Sequence, residues 1–552
     1  MDAKEIQIES RLEPFALYLE KAAGAGRRGR TAIQKIWLEA AEALFPLRPE
    51  NLTNLVREAI RLKFEDAALR IAEALCEIGP DDPAAQFRLG SALQLVGRSA
   101  EAIGRLERAL ALNPDFPQAH NNLAAAFMAL ERPPEDILPL LETAVAKAPD
   151  SHEGWSNLAT QRLRVFDLEG ALTAGERAVA LDSRTPISWN NRAQALKEDL
   201  RFAEAEACFE AAVRLSDGDP LYRLNLGLLH LLLGRYASGW EGFENRWRIS
   251  PQKIAGRPVF GAPPWSGEPL EGKTLLIWGE EGNGDVIQFC RFLPRVAALV
   301  HAQGGRVLWN SYPHFGDLLA RSLGSHADQY VTGGLELLPP YDYEFGLLSS
   351  PRLLGVTPDS IPRQTPYLRA DPARRETCRA RLAMADGLKV GLVWTGSAEQ
   401  GRNPFRSVSL ARYAEAFGHI PGVRFFSLQM GGAEEVAAAK ARGLPIEDLT
   451  PEIGTYEDTA AVMEELDLVI TICTSTAHLA GALARPVWVV LDVNPHWVWG
   501  LNRSDNDWYP TARVFRQTRF GVWDDALAAV GAALSELVTA ESLGAHAGPQ
   551  TV

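Results

Sequence analysis

The residues of this chain best suited to chemistry cluster at two places where a short apolar run gives way to a helical pattern. The first is Gly279-Glu280-Glu281-Gly282-Asn283-Gly284-Asp285. Glycines there let backbone come close to a ligand. Their order, G-x-x-G-x-G, reverses the dinucleotide fingerprint, and two glutamates stand where phosphates would have to approach, so phosphate binding is rejected at this loop. Asp285 opens the helix that follows, and the residues alone read it as a capping carboxylate. The second place is Cys473-Thr474-Ser475-Thr476-Ala477-His478. Hydroxyls and free backbone N–H groups at a helix start suit a phosphate. His478, one turn in, is either a donor to the same anion or a satisfied core histidine.

Three further groups carry open readings. Arg402 and Arg406 lie in a polar loop, 395–407, and either neutralise an anion or are solvated. Asp505-Asn506-Asp507 matches a D-x-D metal motif, but no strand leads into it, and a surface loop is the better reading. In Pro495-His496-Trp497-Val498-Trp499, two indoles could stack on a base or sugar, or could equally pack the protein together. Four asparagines, Asn122, Asn157, Asn191 and Asn225, recur at spacings of 35, 34 and 34 in matching contexts. An amide repeated once per unit can bond a peptide backbone, whose groups also repeat; alternatively it bonds within its own stack. Arg88 takes the place of Asn in the preceding unit.

These residues need two kinds of scaffold. Alanines 74, 109, 144, 178 and 212 keep the same period as the asparagines, and Pro or Asp closes most units a few residues later. A period near 34 is a helix-turn-helix repeat whose units bury their faces only against one another. This stretch, 51–249, resembles the tetratricopeptide-repeat family, with five to six units. Residues 1–50 read as a helical cap. A Pro/Gly-dense linker is expected at 250–272. Beyond it, strands are expected at 273–278, 306–309, 389–394, 423–428, 466–472 and 487–491, with helices at 285–301 and from 477. Pro-rich turns fill 339–372. Two α/β halves, 273–380 and 381–540, suggest facing Rossmann-like lobes, and 541–552 is expected to be a disordered tail.

Bulk properties narrow the classes. At 552 residues the chain is too long for one core. A net charge of −14 opposes nonspecific nucleic-acid binding, which needs cations to replace phosphate counterions. Five scattered cysteines without a C-x-x-C pair suit a reducing compartment and neither disulfides nor zinc. Residues 1–20 lack the apolar core of a signal peptide, and the most apolar window, 466–491, contains His478, Arg485 and Pro486 and reads as buried strand-helix-strand. A cytoplasmic location without a membrane span is therefore expected.

Further motifs make a more specific resemblance. They are Trp265-Ser266-Gly267-Glu268-Pro269-Leu270-Glu271-Gly272-Lys273-Thr274-Leu275-Leu276, Gly282-Asn283-Gly284-Asp285-Val286-Ile287-Gln288-Phe289, Val393-Trp394-Thr395-Gly396, Ser427-Leu428-Gln429, Cys473 to Gly481, Trp508-Tyr509-Pro510 and Phe515-Arg516-Gln517. Together they resemble the heptosyltransferase-like GT-B glycosyltransferases that bacteria fuse to tetratricopeptide repeats, including flagellin glycosyltransferases. O-GlcNAc transferase is similar in placing an asparagine ladder beside a GT-B unit. The resemblance implies an all-α repeat solenoid followed by an α/β GT-B fold, and a metal-independent, inverting enzyme without a cofactor. It makes Asp285 the catalytic base. It gives Thr474, Ser475, Thr476, His478, Arg402, Arg406 and Trp394 to a nucleotide-sugar donor, with the arginines replacing a metal at the leaving phosphate. Asn122, Asn157, Asn191 and Asn225 then hold a protein acceptor, for which flagellin and a nonulosonic acid from a CMP donor are the leading expectation. Cys473 departs from the pattern, since relatives often carry Asp there. That departure supports an alternative, a catalytically inactive scaffold that binds a partner through its repeats. A transferase acting on glycan or lipid is a weaker third reading.

Overall fold

A computed structural model describes residues 3–383, 385–398 and 400–546. The chain forms two compact units, Met1–Ala195 and Leu196–Val552. In the first, a long helix, Ala3–Arg27, and Thr31–Glu42 precede paired helices that start at Pro49–Arg61 and Glu65–Ile78 and run on to Leu168–Leu181. Proline opens the first helix of several pairs (Pro49, Pro83, Pro117), where its missing N–H costs nothing. Ala74, Ala109, Ala144 and Ala178 are all buried, so the periodic alanines mark where helices of adjacent pairs come close. The long first helix belongs to the same core: Phe15 and Leu19 are buried in one cluster with Ile71 and Ala72.

The second unit begins with three more helices, Phe202–Leu215, Pro220–Leu232 and Tyr236–Phe243. Two all-parallel sheets follow. β1 (Thr274–Trp278), β2 (Arg306–Ser311), β3 (Gln329–Thr332) and β4 (Tyr343–Gly346) form one, in the order β3-β2-β1-β4. β5 (Leu388–Val393), β6 (Val423–Ser427), β7 (Ile446–Asp448), β8 (Leu468–Ile472), β9 (Val487–Leu491) and β10 (Ala512–Arg516) form the other, in the order β10-β9-β8-β5-β6-β7. Central strands such as β8 and β9 are buried along their whole length, as parallel strands covered on both faces must be. The second sheet has the doubly wound dinucleotide-fold order. Strand order reverses between β1 and β4 in the first sheet and between β5 and β8 in the second, and such switch points open a crevice beyond the carboxyl ends of the strands.

Several expectations change. The stretch 250–272 is anchored rather than a free tether: Trp265 and Leu270 are buried, Arg257 donates to Glu344 at 2.5 Å and Lys253 to Glu281 at 2.7 Å. The division at Ala195 also means that the last helical pair shares a core with the sheets. Trp240 and Tyr236 belong to the cluster that holds Trp265, Phe289 and Trp497, and Trp240 Nε1 donates to the Val356 carbonyl at 3.0 Å. A single helix over 285–301 is instead Asn283–Phe289, a 3-10 turn and Leu293–Ala302, because Pro294 cannot continue an α-helix through the carbonyl four residues back. The region of Pro-rich turns contains β4. Helix Asp524–His546 runs into the stretch expected to be structureless, and 547–552 lie outside the described residues.

Candidate functional site

Asp285 sits at the third position of helix Asn283–Phe289, directly beyond β1 at the first switch point. Its Oδ2 accepts the Gly282 backbone N–H at 3.1 Å, so the capping role read from the residues is present. Burial pushes its carboxyl up to about 6, Glu281 and Glu280 add to that, and the Gly282 N–H and Arg246 oppose it. The loop is held from below by a group invisible in the sequence. Glu280, 1% exposed, receives Arg246 through Nε (3.0 Å) and Nη2 (2.8 Å), Trp247 Nε1 (2.6 Å) and the Leu348 N–H (3.0 Å). A bidentate guanidinium on a buried carboxylate fixes both partners in one geometry.

At the other switch point, Thr474 caps helix Ser475–Ala482 without a side-chain hydrogen bond to the helix N–H groups. Thr474 Oγ1 pairs with Thr471 Oγ1 at 3.1 Å and Ser475 Oγ accepts from Tyr456 at 2.8 Å. The backbone N–H groups of Ser475 and Thr476 and the Thr476 hydroxyl have no protein partner among the described residues. Arg406 Nη1 donates to the Cys473 carbonyl at 2.6 Å, which brings its charge beside this helix start. His478 is buried. Burial, then His496, Arg291 and Arg406, hold its imidazole well below the usual histidine range, so it is neutral. The Cys473 thiol accepts the Trp499 indole N–H at 3.1 Å, and burial raises it, leaving an uncharged sulfur where a carboxylate was the alternative.

The two junctions meet. A Cβ on Gly284 would stand 3.1 Å from His478 Cδ2 and 3.3 Å from Ser475 Cα, so the absence of a side chain lets helices Asn283–Phe289 and Ser475–Ala482 touch. The helix that carries Asp285 thus touches the helix start that carries the free amide donors and the neutral imidazole, with Arg406 beside that start. Two surface cavities, one against Tyr236, Trp497 and Trp508 and one against Arg375, Leu483 and Arg485, are lined by other residues.

Some expected residues do other work. Arg402 gives its donors to Glu198 (2.5 Å), Asp492 (2.6 Å) and the Asn494 carbonyl (2.9 Å), so two carboxylates already neutralise it and it is not free for a phosphate. Trp394, just past β5, is 1% exposed, bonds Glu435 through its indole N–H and packs into the core around the second sheet. Trp497 and Trp499 are buried too, and Trp497 packs on Tyr236, Trp240 and Trp508, which decides for packing over base stacking. Asp505 and Asp507 both pair with Arg503, while Asn506 caps the Trp508 and Tyr509 N–H groups at 2.9 and 3.0 Å.

The asparagines of the first unit face along their stack. Asn122 donates to Ser91 Oγ at 2.8 Å, Asn157 to Asn121 Oδ1 at 3.0 Å and Asn191 to Ser156 Oγ at 2.9 Å. Asn190 donates back to Asn191 Oδ1 at 3.2 Å. Each of these three amides therefore spends an N–H on the repeat before it while its side chain stays partly exposed. Asn225, in the second unit, is partly exposed on helix Pro220–Leu232.

Comparison with known proteins agrees with the helical part. The tetratricopeptide-repeat family profile matches residues 87–152 and 190–253. Protein FlbA of Caulobacter vibrioides is 29% identical over 445 residues, covering 77% of this chain and 73% of that protein. Similar solved structures include a thermophilic TPR protein of Thermus thermophilus, at 21% identity over 33% of this chain and 100% of that chain, with a TM-score of 0.30. Another is pilF of Pseudomonas aeruginosa, at 17% identity over 37% and 92% of the two chains, with a TM-score of 0.31. With the periodic buried alanines and the profile match, the helical pairs are tetratricopeptide repeats, and an α/β region of parallel sheets follows them.

Proposed function

We propose that the protein is a glycosyltransferase of GT-B arrangement that moves a sugar from a nucleotide-sugar donor to a Ser or Thr hydroxyl of a protein acceptor. The observation that supports this reading is the contact at Gly284, the residue before Asp285, between the helix that carries Asp285 and the Thr474–His478 helix start. Asp285 takes the acceptor hydroxyl proton as the oxygen attacks the anomeric carbon from the face opposite the leaving phosphate. As the bond from that carbon to the phosphate oxygen breaks, charge grows on the phosphate. The Ser475 and Thr476 N–H groups and Arg406 are aimed to receive it, and preorganised donors of this kind need no rearrangement at the moment of reaction. The helical repeats supply protein recognition. Flagellin with a nonulosonic acid from a CMP donor is the first pair to try, on the sequence resemblance.

Calorimetry against a panel of nucleotides tests the donor site. One nucleotide should bind best, and Arg406→Gln should weaken it by about ten- to a hundredfold, the worth of a charge-assisted hydrogen bond. Absence of binding to every nucleotide would favour the second reading, a partner-binding scaffold. The observation that supports that reading is the neutral, buried Cys473 thiol bonded to Trp499.

A further inference from the structure

Trp508-Tyr509-Pro510 and Gly481 belong to motifs that stand out in the sequence, yet neither has a task in the transfer described above. Both converge on His478. The imidazole, 6% exposed, has its Nδ1 2.9 Å from Tyr509 Oη. Tyr509 is fully buried against helix Ser475–Ala482 at the one place where that helix has no side chain: a Cβ on Gly481 would lie 2.2 Å from Tyr509 Cδ1. Trp499 closes the other side, its ring 5.6 Å from His478 and 5.8 Å from Tyr509. Asn506, by capping the Trp508 and Tyr509 N–H groups, fixes the turn that delivers the phenol.

Besides the Tyr509 phenol, the groups whose charge acts on the imidazole are His496, Arg291 and Arg406, and Asp285 on the facing helix is not among them; burial and these groups keep the ring neutral, with a single N–H. Where that proton sits decides what the ring can do. Tyr367 gives its proton to the Ile287 carbonyl at 2.9 Å and accepts from Arg291 at 2.8 Å. Arg291 also lies 4.6 Å over the Tyr509 ring, which favours the phenol as a donor. An imidazole nitrogen is a better acceptor than a phenol oxygen, so the Tyr509 proton goes to Nδ1.

We propose that Tyr509 is a positioning residue that donates to His478 Nδ1, fixes the proton on Nε2, and so makes His478 a neutral hydrogen-bond donor to a phosphate or sugar oxygen at the Gly284 junction rather than a second base. This rests on the donor site proposed above for its ligand, but not for its tautomer. Asp285 and His478 then have opposite tasks on either side of the contact, one accepting a proton and the other holding one.

The test is long-range proton–nitrogen NMR of the full chain carrying nitrogen-15 histidine, with the His478 signals identified by their loss in His478→Gln. The wild-type ring should show a protonated Nε2, a bare Nδ1 and no imidazolium at neutral pH. Tyr509→Phe should show a mixture of tautomers and bind the preferred nucleotide at least tenfold more weakly. A wild-type ring protonated on Nδ1, or a tautomer unchanged in Tyr509→Phe, would overturn the assignment. If Tyr509→Phe fails to fold, the wild-type spectrum alone decides. The Nε2–H tautomer together with no nucleotide binding would leave the positioning role standing and sink the transferase reading, so the two failures are distinct.

Discussion

Replacing Asp285 by Asn separates its charge from its shape. Asn keeps an oxygen for the Gly282 N–H, so the cap survives, while the ionisable group is gone. The carboxyl is pushed up to about 6, by burial before the neighbouring glutamates. Its unfolded value is about 3.9, so the folded state retains a proton that the unfolded chain releases. Stability from this group is therefore complete below about pH 4 and is lost as pH rises through about 6. A shift of about two units corresponds to at most about 3 kcal/mol, and because the side chain is partly exposed about 1–2 kcal/mol is the realistic figure. In urea unfolding, the stability of Asp285→Asn relative to wild type should be clearly higher at pH 7.5 than at pH 4.5. The same shift fits a base that is ionised at neutral pH and still basic enough to take a proton. A stability gap that stays flat between pH 4.5 and 7.5 would refute the burial argument, and with it the reason for expecting activity to rise through about pH 6.

Other perturbations read the supports of the site. Arg246→Met leaves Glu280 buried without its cation and should cost about 3–5 kcal/mol in chemical unfolding, while adding Glu280→Gln should restore part of the loss; no rescue would mean that packing, not charge, was lost. Gly284→Ala forces a methyl against His478 and the Ser475 backbone, and should cost about 1–3 kcal/mol in the same assay; an unchanged stability would mean the two helices do not touch as described. Asn122→Ala and Asn191→Ala each remove a bond to a serine one repeat back and should lower stability by about 1 kcal/mol. Changed acceptor binding at unaltered stability would instead make the asparagines acceptor contacts.

What the sequence reveals follows the physics of each signal. Repeats are legible because one packing problem, helix against helix, is solved the same way every 34 residues or so, and Ala74, Ala109, Ala144 and Ala178 record the solution. Long buried strands such as β8 and β9 read as apolar runs. β3, β4 and β7 do not, being three or four residues long with partly exposed positions. Thr474 to Thr476 and Asp285 are legible as helix-start residues because a helix start constrains residue type locally. Arg402 and Trp394 are misread because their partners, Glu198, Asp492 and Glu435, are distant in sequence, and one loop arginine looks like another until its carboxylates are seen. The Arg246–Glu280 pair escapes for the same reason: Glu280 lies in a motif but Arg246 does not, and only the fold brings them together. Tyr509 and His478 are both visible as motif residues, but their pairing is not.

The central claim is sugar transfer with Asp285 as base, and intact mass spectrometry tests it most directly. The full chain is incubated with an acceptor protein, flagellin first, and the nucleotide sugar whose nucleotide binds best. Acceptor should gain whole sugar masses with wild type, and Asp285→Ala should slow that gain by about 10²- to 10⁴-fold, the usual worth of a positioned general base. Transfer by Asp285→Ala at the wild-type rate, or no mass gain by wild type with a nucleotide sugar it demonstrably binds, would contradict the account.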